Sequence, residues 1–295
     1  MRDAAKLADE LGIHSIWTWD HFYALSGAEE RPNFDAWQIL PAWAAVTERV
    51  RIGALVSGIT YRHPAVLANM AATFDHISNG RAICGIGAAW NQTEHRAYGI
   101  DLGTAGERSR RFAEGARIVR SLLDGKRVTY SGKYYSLSDA VLNTRPVQQR
   151  VPIMIGGGGE QRTLRTTARY ADMWHGFGTP EIIRRKIEIL HGHCADVGRD
   201  PSAITIFAGR AVCVREDPAE AKRTLAEIAS HHHGMQPQDA IIGGPDQVAE
   251  RLKAYWDAGA RGFIVGFPYP YDTVTMRRLA QEVLPRLRDS AGVAA

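Results

Sequence analysis

The chain has little cysteine: Cys84, Cys194 and Cys213 are the only three in 295 residues, and no C-x-x-C pair occurs among them. An odd number without paired spacing excludes a disulfide framework and a thiolate metal site, and fits a reducing, cytoplasmic setting. Long apolar runs are also missing. Met1 to Lys6 leads straight into an amphipathic pattern, so neither a membrane span nor a secretory leader is expected. The formal charge of +4, carried mostly by arginine, is too mild for a dedicated nucleic-acid binder. Absent too are G-x-G-x-x-G, G-x-x-x-x-G-K-[ST] and G-x-S-x-G, which removes support for a Rossmann dinucleotide site, a P-loop and a hydrolase nucleophile elbow.

What is present is an ordinary globular composition, 45% hydrophobic and 23% charged. At roughly 150 residues per domain the length allows two domains, or one α/β barrel of about 250 residues. The periodicity decides between them. Helical spacing in 1–12 stops at Gly12, and the β-branched and aromatic stretch 13–19 ends at Asp20-His21. A polar loop around 27–33 precedes a helix over 34–48. Then come strand 51–57, helix 64–78 with Pro64 in its first turn, strand 82–87, helices 91–98 and 106–123, and an irregular Tyr-rich segment over 128–150. Strand 152–155, helix 161–170, strand 172–176, helix 180–197, strand 204–214, helices 218–230 and 245–258, strand 262–266 and helix 273–288 complete the chain. Seven strands each followed by helix, with no linker, imply one α/β domain over 1–295 built as a TIM-type (β/α)8 barrel.

In a barrel the chemistry lies at the carboxyl ends of the strands. Those ends carry Asp20-His21, 54–58, Gly87-Ala88-Ala89-Trp90, Ile155 to Gly159, Trp174-His175-Gly176, Gly209-Arg210 and Gly266-Phe267. Gly156-Gly157-Gly158-Gly159 lies between a strand and a helix, where bare N–H groups and the positive helix end can hold a phosphate; a tight turn using positive φ has the same composition. His21 offers an imidazole that titrates near neutrality beside Asp20, although neighbours on a strand point opposite ways. The small side chains of Gly85 to Ala89 would let a flat ring approach the backbone, with Trp90 as a wall, or would serve close packing. No metal site is expected. His191 and His193 fall on different helix faces, and His231, His232 and His233 cannot all converge. Cys84 reads as a small buried apolar residue.

Ile16-Trp17-Thr18-Trp19-Asp20-His21-Phe22, Thr47 to Gly53, Tyr61-Arg62-His63-Pro64-Ala65, Phe74 to Arg81, Gly85 to Trp90, Gly132-Lys133-Tyr134-Tyr135 and Pro152 to Gly159 occur in an order that resembles the luciferase-like flavin and deazaflavin oxidoreductases, in particular the coenzyme F420-dependent branch. The resemblance implies a barrel with an insertion after its fourth strand, and a first strand that this chain lacks and that would be encoded upstream of Met1. It implies F420, or alternatively FMN, with Asp20 and His21 beside the ring as orienting group and acid or base. Gly87, Ala88, Ala89, Trp90 and Asn91 would border the ring, and Ile155, Gly156, Gly157, Gly158 and Gly159 would hold the cofactor phosphate. A non-prolyl cis peptide is implied at Ala54-Leu55. Leu25 stands where the sugar-phosphate dehydrogenase branch carries Trp, so that substrate is not implied. The expected reaction is hydride transfer between the deazaflavin C5 and a small organic substrate, in a protein that is frequently a homodimer among relatives. The alternatives are an FMN monooxygenase fed by a separate reductase, and a non-catalytic flavin-binding protein.

Overall fold

The computed structural model describes residues 1–25, 31–230, 240–267 and 269–291. Helix α1 (Arg2–Glu10) is followed by β1 (Ser15–Thr18), α2 (Ala36–Ala44), β2 (Arg51–Ala54), β3 (Ser57–Gly58), α3 (Pro64–Ile77), β4 (Ala82–Gly87), α4 (Gln92–Ala97) and α5 (Ala105–Leu123). Next come β5 (Val128–Ser131), β6 (Ser136–Ala140), β7 (Ile153–Gly156), α6 (Thr163–Tyr170), β8 (Met173–Gly176) and α7 (Pro180–Asp196). The chain continues through β9 (Thr205–Arg210), β10 (Val212–Val214), α8 (Pro218–Ser230), β11 (Ile241–Gly243), α9 (Pro245–Asp257), β12 (Gly262–Val265), α10 (Thr273–Arg278) and α11 (Leu284–Ala291).

Helix starts follow their local chemistry. Thr104 and Glu107 form a reciprocal capping box at α5, Thr179 caps α7 ahead of Pro180, and the Asp35 carboxylate caps α2. None of the described helices is long and apolar enough to cross a membrane.

The main sheet runs β1-β2-β4-β7-β8-β9-β12 with every pairing parallel, and β3 joins it beside β4. These are the seven strands expected from the periodicity, in the order that a right-handed succession of βα units gives. Alternation sorts their side chains. On β4 Ala82, Cys84 and Ile86, and on β7 Ile153 and Ile155, pack outward against the helices, while Ile83 and Met154 turn inward to meet Phe207 of β9. Trp17, Leu55, Val56, Met173 and Ile264 pack on this inner cluster and complete the barrel floor. No ladder joins β1 to β12 among the described residues; Leu7 and Ala8 of α1 pack instead on Met276 of α10, outside the two edges.

Three expectations change in detail. The strand expected over 204–214 breaks at Ala211: β9 stays in the barrel, and β10 leaves it to pair with β11, which had not been expected. The strand over 51–57 divides into β2 and β3 around a cis Leu55–Val56 peptide, one bond beyond Ala54-Leu55. The helix over 273–288 contains a π-helical stretch, Leu279–Val283, between α10 and α11. The irregular segment is an antiparallel β5–β6 hairpin held to the barrel, with Glu114 accepting the N–H groups of Lys133 and Tyr134 at 3.0 Å and Tyr135 Oη donating to the Ile59 carbonyl at 3.1 Å. His231, His232 and His233, and most of the loop around 27–33, lie outside the described residues.

Several residues that carry the family resemblance act as ties remote from the strand ends. The Asp9 carboxylate accepts the N–H groups of Glu48, Arg49 and Val50, Arg81 donates to the carbonyls of Ala44 and Val50, and buried Asp75 takes both the backbone and side-chain N–H groups of Gln148. Each satisfies buried or loop polar groups that would otherwise cost stability.

Candidate active site

Asp20 and His21 leave the end of β1 in opposite directions. The Asp20 carboxylate is buried and lies 2.5 Å from Arg62 Nη1, with the Arg62 Nη2 bridging to Asp35 at 3.0 Å. Ser57 also hydrogen-bonds Asp20, and its Oγ accepts from Trp37 Nε1 at 3.0 Å. Burial pushes the Asp20 carboxyl above its ordinary range, against the lowering pull of Arg62 and Ser57.

His21 does not meet Asp20. Its Nδ1 lies 2.8 Å from Glu94 Oε2, and Glu94 is fully enclosed. The other carboxylate oxygen accepts the N–H groups of Phe22 at 2.9 Å and Tyr23 at 3.0 Å, while Tyr61 Oη donates to Oε2 at 2.5 Å. Burial alone would raise the Glu94 carboxyl, but hydrogen bonds from Tyr61, the Tyr23 backbone and His21 outweigh it and hold the group below the ordinary carboxylate range. Glu94 is therefore an anion facing His21, and burial with the Glu94 contact raises the Tyr61 phenol so that it stays protonated. Behind them His95 Nδ1 donates to the Asn91 carbonyl at 2.6 Å and Nε2 lies 2.7 Å from Thr60 Oγ1, so both ring nitrogens are held.

The expected ring-binding segments meet at the same end of the barrel. By alternation Gly85 and Gly87 face inward from β4, and Gly156 from β7. Their bareness is partly used by packing: a Cβ at Gly85 would collide with the Ala54 carbonyl oxygen, one at Gly87 would sit 2.6 Å from Val56, and one at Gly156 would sit 3.0 Å from it. Ala54 itself points outward into the helix-facing core, so its side chain does not border the interior; Leu55 and Val56 do. Beyond Gly87 the backbone reaches Ala89 at φ +65°, an uncommon conformation for a residue with a Cβ, and Trp90 stands 60% exposed with its ring 5.4 Å from that of His21. Asn91 turns away as the N-cap of α4.

The glycine run leaves β7 with Gly157 at φ +125° and Trp174 Nε1 donating to the Gly157 carbonyl at 2.9 Å. α6 starts beyond it with no side-chain cap. Lys186 of α7 reaches over the loop, its ammonium 3.2 Å from the Gly158 carbonyl, where a Cβ on Gly158 would displace it. Uncapped helix start, bare backbone and adjacent cation together suit a phosphate. Beyond the end of β12 a Cβ on Gly266 would meet nothing within 4 Å. Buried His175 on β8 presents Nε2 without a hydrogen-bond partner among the described residues. A flat ring joined to a phosphate fits a loop that carries this cation and borders the inward-facing positions of β7 and β8. Among the described residues no group of three or more His, Cys, Asp or Glu side chains is placed to hold a metal, and His193 Nε2 donates to the Glu160 carbonyl.

Sequence reasoning found Asp20, His21 and the glycine segments because they sit at strand ends. It missed Glu94, Tyr61, Arg62, Lys186 and the role of His175. Asn91 followed three residues later by Glu94 reads as a helix-capping pattern. Asn91 does accept the Glu94 N–H at 3.3 Å, but the Glu94 carboxylate turns back to residues 21–23 instead of closing a box.

The model of the luciferase-like monooxygenase family matches residues 1–239. A protein of Microbacterium testaceum named F420-dependent glucose-6-phosphate dehydrogenase is 31% identical, the match covering 97% of this chain and 92% of that protein. Among solved structures, an F420-dependent secondary alcohol dehydrogenase in complex with an F420-acetone adduct superposes with TM-score 0.84 at 21% identity, over 98% of this chain and 94% of that one. The EDTA monooxygenase from Chelativorans sp. BNC1 follows with TM-score 0.82 at 18% identity, over 99% and 90%. Such identities carry the fold, while the family model spans most of the chain, the site included: this chain belongs to the luciferase-like monooxygenase family.

Proposed function

We propose that the protein is a coenzyme F420-dependent oxidoreductase that moves a hydride between the deazaflavin C5 and a small organic substrate. The observation that carries the reading is the Glu94–His21 pair at the strand ends of the barrel, with the glycine loop that Lys186 covers at the same end. The F420-dependent relative with 31% identity supports the choice of cofactor. When bound, the deazaflavin supplies a carbon that accepts or gives a hydride and, lacking the flavin N5, disfavours oxygen activation.

The remaining work belongs to the chain. Anionic Glu94 accepts the Nδ1–H of His21, which leaves Nε2 as the atom that exchanges a proton. In the oxidising direction Nε2 takes the proton of a substrate hydroxyl, and the facing carboxylate stabilises the imidazolium that results; in reverse the imidazolium protonates a carbonyl oxygen. Tyr61 and the N–H groups of Phe22 and Tyr23 keep Glu94 ionised and fixed. Asp20 acts on the frame: through Arg62 and Ser57 it ties the end of β1 to β3 and to the start of α2. Trp19 and Trp90, both exposed at strand ends, wall the mouth and exclude water from a bound ring.

The test is a pair of fluorescence titrations with F420 and FMN. The expected result is binding of F420 at least about tenfold tighter than FMN, a difference of roughly 1.4 kcal/mol. Tighter FMN binding would overturn the reading in favour of a flavin monooxygenase, and binding of neither would leave no role for these strand ends as a cofactor site.

A further inference from the structure

We propose that His175 is a second ligand-facing imidazole, a neutral hydrogen-bond contact for the heterocyclic edge of the bound deazaflavin; this rests on the cofactor reading above. On β8, Trp174 packs outward with the helices and Met173 inward on the barrel floor, so alternation turns His175 inward as well. It lies one inward position beyond Met173 of the floor and is paired in register with Gly156 on β7 and Phe207 on β9, directly beside the first residue of the glycine run.

Its surroundings are arranged to admit an imidazole. A Cβ on Gly209, the next inward position of β9, would strike His175 Nε2, so glycine there makes room for the ring. The Phe177 ring lies edge-on at 4.6 Å and 81° and is itself 68% exposed, so it covers His175 from the solvent side. The residue is 3% exposed, yet Nε2 has no hydrogen-bond partner among the described residues. Buried polar atoms are nearly always paired, and an orphan lowers stability. An apolar side chain would fill this position more stably, so the nitrogen is explained by something that arrives from outside the chain.

The chemistry of the group selects its partner. Burial holds the imidazole down to about 4, so it is uncharged at neutral pH. A neutral imidazole is a poor counter-ion for the phosphate, a task for which Lys186 lies nearby on the glycine loop. It suits the carbonyl and N–H groups on the pyrimidine edge of a deazaflavin, which carry no charge to neutralise.

The experiment compares wild type, His175→Leu, His175→Gln and Lys186→Ala as folded, unliganded proteins titrated with two probes, intact F420 and the deazaflavin riboside that lacks the phosphate tail. His175→Leu is expected to weaken both probes by about tenfold while melting no lower than wild type. His175→Gln, which keeps a donor and an acceptor, should stay within about threefold for both. Lys186→Ala should weaken F420 alone. Wild-type affinity of His175→Leu for both probes overturns the proposal, as does a loss confined to intact F420. A lower melting temperature for His175→Leu, with His175→Gln equally weakened toward the riboside, overturns it in favour of a packing role. A folded wild type that binds neither probe refutes the cofactor reading itself, and the proposal with it.

Discussion

His21 is oriented by a carboxylate that lies 73 residues further along the chain, and that distance shapes both its chemistry and its visibility. Because Glu94 also accepts two backbone N–H groups next to His21, it fixes the loop and the imidazole tautomer at once. Glu94→Gln keeps an acceptor for those N–H groups but presents an amide that can donate to Nδ1, inverting the tautomer. Turnover should fall by about 100-fold or more, with F420 affinity nearly unchanged; steady-state kinetics beside a fluorescence titration checks this. His21→Ala should show the same split, and wild-type turnover in that variant would remove His21 from the mechanism. The candidate site was legible in the sequence only where chemistry and a strand end coincide, as at Asp20-His21 and Gly156 to Gly159. Glu94 carries a helix-capping spacing, and Lys186 sits among the arginines of α7, so neither stands out until the fold brings it to the site.

At the scale of the elements, the glycines divide into those that packing requires and those that leave space. Gly85 is of the first kind, since an added methyl would meet the main chain at Ala54, which cannot swing aside. Gly85→Ala should destabilise the protein by about 3 kcal/mol or more. Gly192 is the opposite case, lying within α7 with nothing within 4 Å of its added Cβ; Gly192→Ala should stabilise by about 0.5–1 kcal/mol. Urea unfolding midpoints of the pair test this contrast. Elements with strong local signals were readable in advance: the helices expected from Pro64, over 106–123 and from 180 are α3, α5 and α7, each starting within a residue of its expected place. β11 was not, because three residues ending at Gly243 are too few to display a period of two. The β5–β6 hairpin was hidden for a different reason: β5 alternates exposed with half-buried positions and β6 buries Leu137 alone, a pattern close to that of a polar loop.

For the molecule as a whole, the order of the main sheet fixes where cooperative structure ends. β4 and β7 lie well inside it, while among the described residues β1 and β12 each pair on one side, and Leu7 and Ala8 of α1, Met276 of α10, Ile16 and Phe267 pack together at these margins. A closed barrel resists opening because every strand is held twice, whereas a curled strip can yield at its margins. Native-state amide exchange should therefore be slowest in β4 and β7 and measurably faster in β1 and β12. Uniform protection across all seven strands would show that the margins are held as firmly as the centre. Since His21 lies just past the β1 margin, its loop is fastened from across the site, by the carboxylate of Glu94, by Arg62 on Asp20 and by Asn33 on the His21 carbonyl. The residue proposed to handle the proton thus follows a strand at the margin of the sheet, and a solvent-exchange experiment on Phe22 and Tyr23 would report how tightly Glu94 holds its loop.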